Sequence, residues 1–129
     1  MALVLVDTSV WIDFLKLGET PESRELVGYL DRDEACVTPI IKAEVLSGAK
    51  TEEDFTTLQE KFSALPSLQE PPNFWDAVAR NRFNLARKGL NVSLIDLAIA
   101  VTAQGHDCPI LTSNKGFKII ATVIKLRFA

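Results

Sequence analysis

The sequence predicts an α/β domain with a central parallel β-sheet flanked by helices, and three observations carry that prediction. Short apolar runs alternate with segments of helical periodicity, the connections between them are brief, and the first run is continuously apolar rather than alternating. A strand covered by helices on both faces has this last pattern, and strands alternating with helices are the mark of a parallel sheet.

Ala2–Val6 is the first such strand. Val10, Trp11, Phe14 and Leu15 then fall at helical spacing, with Gly18 near the end of that helix. Pro21 and Glu22 open a second helix carrying Leu26, Val27 and Leu30. Ala35–Thr38 reads as the second strand, and Pro39 suits the first turn of a helix over Ile40–Ser47. Thr51 and Asp54 have capping-box spacing before the amphipathic positions Phe55, Leu58 and Phe62. Leu65–Gln69 reads as a short strand. Pro71-Pro72 starts a longer helix with Trp75, Val78, Ala79, Phe83 and Ala86 along its apolar stripe, and Gly89 caps its end with Leu90 beyond. Ser93 caps a helix through Ala103, Pro109–Thr112 is a strand, Lys115–Ile120 a short helix and Val123–Leu126 a final strand.

A chain of 129 residues is long enough to bury one core, and 47% hydrophobic with 24% charged residues is globular composition. No apolar run reaches the roughly 20 residues that span a bilayer. The start lacks a basic flank and runs into Asp7, so a cytoplasmic protein is expected. Cys36 and Cys108 lack metal-ligand spacing and read as buried thiols. A net charge of −3 argues against a surface that coats nucleic acid, but it leaves room for a nuclease whose cation site is itself acidic.

The acids each have an ordinary explanation. Asp7 has the place of an N-cap, Asp96 completes a capping box with Ser93, Glu44 fits a solvated helix face, and Asn114 fits a cap. Asp96 is the hardest to dismiss: it lies in Leu94-Ile95-Asp96-Leu97-Ala98-Ile99-Ala100-Val101, apolar nearly all round. A carboxylate there is costly unless paired, and that helix supplies no cation; a bound divalent metal would. Asp7 raises the same question at the end of a buried strand. The general rule for open α/β sheets puts ligands at the carboxyl ends of strands, where Asp7 and Asn114 both stand.

Four segments together resemble PIN domains of the VapC toxin group: Val6-Asp7-Thr8-Ser9-Val10-Trp11-Ile12-Asp13, Ala43-Glu44-Val45-Leu46-Ser47-Gly48, Ile95-Asp96-Leu97-Ala98-Ile99-Ala100 and Ile110-Leu111-Thr112-Ser113-Asn114-Lys115-Gly116-Phe117. They occur in the family's order over essentially the whole chain. The resemblance implies a single PIN-like domain over residues 1–129. It implies an acidic metal site of Asp7, Glu44, Asp96 and Asn114, and an endoribonuclease leaving 5′-phosphate and 3′-hydroxyl ends. Asn114 stands where the family often has Asp, which leaves occupancy by a second metal open. Ser9 and Thr112 are candidates for orienting ligands or phosphate oxygens, or simply caps.

Clustered carboxylates without His or Cys suit Mg²⁺ or Mn²⁺, and His106, the only histidine, reads as a turn residue. Such a metal would lower the pKa of a bound water and neutralise charge on the scissile phosphate. Lys115 and Lys118 flank the expected site, and Arg80 and Arg87 lie on the polar side of the long helix. Arg82 falls in its apolar stripe, to pair with a site acid, sit at a subunit contact or snorkel. The resemblance further implies an RNA substrate, a homodimer with candidate contacts around Trp11, Phe14 and Leu30, and a cognate antitoxin bringing an Arg or Lys to the acids. It also implies a strand order with the first strand between the second and fourth. Cys36 and Cys108 would then stand about 10 Å apart and remain free. A haloacid-dehalogenase phosphatase is disfavoured because Asp7-Thr8-Ser9 lacks a second Asp, and a receiver domain because its paired acids and late Lys are missing. A housekeeping RNA-processing nuclease and a degenerate interaction module are the remaining alternatives.

Overall fold

Three short strands, β1 (Val4–Val6), β2 (Ala35–Cys36) and β3 (Ile110–Leu111), run parallel in the order β2-β1-β3. The first strand is therefore central. These coordinates, a computed structural model, describe residues 2–16 and 18–129. Every residue of the three strands is buried, as expected of a sheet covered on both faces.

The helices are α1 (Thr8–Leu15), α2 (Pro21–Asp31), α3 (Pro39–Ser47), α4 (Glu52–Ser63), α5 (Phe74–Arg87), α6 (Leu94–Gly105) and α7 (Gly116–Ile120). Their starts follow from local chemistry. Thr20 and Ser23 form a reciprocal capping box around Pro21, and Thr38 caps α3 with Pro39 in its first turn. Thr51 and Ser93 each accept the backbone N–H three residues on. Gly89 ends α5 at φ +76°, where the N–H groups of Gly89 and Leu90 reach Ala86 O and Leu85 O, a Schellman closure that only glycine enters without strain.

Four expectations need correction. Leu65–Gln69 and Val123–Leu126 are not strands. The first contributes one parallel bridge, Val37 with Ser67, and the sheet is instead extended near the C-terminus by one bridge from Ile110 to Phe128. Pro71-Pro72 does not start α5, which begins at Phe74 after a left-handed Asn73. Pro71 instead packs on the end of α6: a Cβ at Gly105 would lie 2.8 Å from the Pro71 ring. The buried stripe of α5 is Phe74, Val78 and Leu85, so Trp75 (57% exposed), Ala79, Phe83 (52% exposed) and Ala86 face outward. Both faces of this helix carry apolar residues, and the one set against α6 won.

Cys36 and Cys108 are free and buried, and β1 does separate their strands. Their sulfurs nevertheless approach to 3.9 Å, because both thiols lean across the central strand and Cys108 Sγ donates to Leu3 O at 3.2 Å. Hydrogen bonding to Cys108 and burial push the Cys36 thiol well above its usual range, so it stays protonated and inert at neutral pH.

Candidate active site

The carboxyl edge of the sheet gathers the predicted acids. Asp7 follows β1 directly, Thr112 follows β3, and β2 leads through Val37-Thr38 into α3, which carries Glu44. Asp96 lies in the first turn of α6 and Asp7 caps α1, so two helix N-termini favour negative charge here.

Each carboxylate spends one oxygen on neutral donors. Asp7, only 2% exposed, accepts at Oδ2 from Ser9 Oγ (2.8 Å) and Thr112 Oγ1 (2.9 Å). Glu44 Oε1 accepts from Thr8 Oγ1 at 2.7 Å. Asp96 Oδ2 accepts from Asn114 Nδ2 at 3.0 Å. Among the described residues the other three oxygens, Asp7 Oδ1, Glu44 Oε2 and Asp96 Oδ1, receive no side-chain hydrogen bond. No cation neutralises them either: the ion pairs among the described residues are Arg32–Glu34 and Arg127–Asp107, both on the surface. Burial, followed by the charges of Asp7 and Glu44, raises the Asp96 carboxyl above its usual range, against a lowering by the Asn114 amide. This is a carboxylate cluster short of positive charge.

Asn114 sits in the cluster, with both ends of its amide hydrogen-bonded. Oδ1 accepts from the N–H of Gly116 at 2.9 Å, so the amide caps the entry to α7 and turns its donor to Asp96. In this arrangement its amide nitrogen serves Asp96. Gly116 allows this closeness, since a Cβ there would meet Asn114 Oδ1 at 3.1 Å and Asp96 Oδ2 at 3.6 Å. Ser9 and Thr112 likewise orient Asp7. Thr112 Oγ1 also takes the Asn114 N–H at 2.9 Å, linking the motif after β3 to the one after β1.

The remaining candidates lie outside this cluster. Arg82 is exposed on α5 beside a cavity of about 400 Å³ lined with Phe83, Leu90 and Leu94, with no acid of the site as partner. Lys115 and Lys118 are exposed at α7. Arg80 and Arg87 place their guanidinium groups 5.7 and 5.5 Å from the Phe83 ring centre. His106 caps α6 at the surface, its Nε2 2.7 Å from Gln69 O. Trp11 is core, 4% exposed with Nε1 donating to Val6 O, and Phe14 and Leu30 pack against the core. The sequence reading missed Thr8, whose only signal was a hydroxyl directly beside Asp7.

Hard oxygen ligands without nitrogen or sulfur match Mg²⁺ or Mn²⁺. Among the described residues no group of three His, Cys, Asp or Glu side chains is placed to hold a metal ion by itself, so an ion here would take much of its shell from water.

The fold and site together define a parallel α/β domain with a cluster of carboxylates at its strand ends. The chain belongs to the PIN domain family, whose model matches residues 4–123. It is 29% identical over 131 aligned positions to VapC ribonuclease Mb1587 of Mycobacterium bovis, covering 98% of each chain, and equally to ribonuclease VapC11 of Mycobacterium tuberculosis. Among solved structures it resembles DNA-bound VapBC from Salmonella typhimurium, with TM-score 0.78, 25% identity and coverage of 100% and 98% of the two chains. VapBC-1 from nontypeable Haemophilus influenzae shares the fold at TM-score 0.77, with 19% identity over 98% and 96%.

Proposed function

We propose that this chain is a divalent-metal-dependent endoribonuclease and the toxin of a VapBC-type pair, acting in the cytoplasm. The single observation that carries the chemistry is the set of three carboxylates, each anchored through one oxygen by neutral donors and left free at the other. Asp7, Glu44 and Asp96 would hold a divalent ion, largely through its waters. Bound Mg²⁺ or Mn²⁺ would supply Lewis-acid stabilisation of the phosphate and a water of lowered pKa. The protein's part is to fix the carboxylates: Ser9 and Thr112 hold Asp7, and Asn114 holds Asp96. The ribonuclease relatives, covered over 98% of their length, support RNA as substrate, and the VapBC complexes support an antitoxin partner.

Purified protein should cut single-stranded RNA in Mg²⁺ or Mn²⁺, stop when the metal is chelated, and take up about one Mn²⁺ per chain by calorimetry. Metal-independent cleavage, or no cleavage of any RNA, would reject the reading.

A homodimer belongs to the same proposal, and a second surface suits it better. Trp11 is buried, and Phe14 and Leu30 are partly buried against the core. Trp75, Phe83, Leu94 and Ile95 are each more than 40% exposed on α5 and the start of α6. Large apolar side chains exposed together mark interaction surfaces. Phe83→Asp should convert the dimer to monomer in sedimentation, whereas an unchanged dimer would place the interface elsewhere.

A further inference from the structure

We infer that Thr8 is a positioning residue for the reaction, fixing the Glu44 carboxylate for the metal; the inference rests on the metal-site reading above. Thr8 Oγ1 donates to Glu44 Oε1 at 2.7 Å, across 36 positions of sequence, and joins the first residue of α1 to the middle of α3. Glu44 has the longest side chain of the three acids and therefore the most rotamer freedom to lose. Thr8 is its only side-chain partner among the described residues. Asp7 has two hydroxyl donors and Asp96 an amide, so without Thr8 the glutamate alone would be unanchored.

Thr8 suits the task in three ways. It is buried at 9% exposure, and its β-branch leaves χ1 little freedom. It directly follows Asp7, so the strand end that places the first carboxylate also places the donor for the second. Being neutral, its hydroxyl orients Glu44 without cancelling the charge a cation needs, as a lysine there would. A hydroxyl facing a carboxylate can only donate, so the contact commits Oε1 and leaves Oε2 available.

The experiment is a Mn²⁺ titration by calorimetry, with RNA cleavage in parallel, on Thr8→Val, Thr8→Ser, Glu44→Ala and Thr8→Val in the Glu44→Ala background. Thr8→Val should weaken Mn²⁺ binding about 10- to 100-fold, the usual effect of losing a group that orients a ligand. Thr8→Ser should restore most of that loss, and Thr8→Val should have no further effect once Glu44 is alanine. If the valine variant does not fold, Thr8→Ala carries the same expectation. Wild-type Mn²⁺ affinity in the valine or alanine variant, or an equal loss with and without Glu44, would overturn the inference and leave the metal site standing. A wild-type protein that binds no Mn²⁺ would overturn both.

Discussion

Replacing Asp7 or Asp96 by asparagine should abolish RNA cleavage while leaving the fold intact and, without metal, somewhat more stable. The two halves of this result have one cause. Asp7 is almost wholly buried, Asp96 is raised by burial and by the charges of Asp7 and Glu44, and no cation among the described residues pairs with them. Each carboxylate is thus a cost to the empty protein that metal binding turns into an asset. An asparagine keeps the shape and can still accept from Ser9, Thr112 or Asn114, but it removes the charge that attracts the ion. Loss of about 4 kcal/mol of transition-state stabilisation would slow cleavage about 10³-fold. Single-turnover cleavage and a thermal melt in chelator are the measurements. Wild-type-like turnover in either mutant would remove that residue from the site, and a large fall in melting temperature would make its role structural.

Coexpression with a neighbouring antitoxin should relieve growth arrest, and the purified complex should melt about 10 °C above the free toxin. A partner at about 100 times its dissociation constant adds about 2.7 kcal/mol to the folded state by linkage, and in a domain of this size each kcal/mol moves the midpoint by a few degrees. The uncompensated acids also specify the contact. An antitoxin segment covering them should bring an Arg or Lys to the buried Asp7 and the half-buried Asp96, where two neighbouring carboxylates reward a bidentate guanidinium. Mutating that basic residue should restore toxicity in the complex. A protein that arrests no growth and gains no stability from the partner would keep its fold and lose the toxin assignment.

Much of this was legible in the sequence, and the reasons differ by residue. Asp7 and Asp96 stood out because acids amid continuous apolar sequence must be explained, and the edge of the sheet where they meet followed from the parallel-strand rule. The phase of α5 was not legible. Trp75-Ala79-Phe83-Ala86 and Phe74-Val78-Leu85 are both apolar stripes, and only contact with α6 decides which is buried. Strand limits failed where a segment makes a single bridge, as at Ser67 and Phe128, because apolar composition does not report how many residues pair. Pro71 was misplaced since its role, filling the space above Gly105, is set by a residue far along the chain. Thr8 was invisible for the same reason: its partner is 36 positions away. The thiols are free and on strands separated by β1, as expected, while the approach of their sulfurs was not legible, since strand spacing fixes backbones and not side chains.

The central place of β1 has a consequence for the timing of synthesis. β1 leaves the ribosome before both of its neighbours, one of which is β3, and the hydroxyl that steadies Asp7 from that side belongs to Thr112. Asn114, which steadies Asp96, emerges later still. A nascent chain therefore carries its acids long before it can arrange them. Its site can be arranged only once the segment through Thr112 and Asn114 has been made.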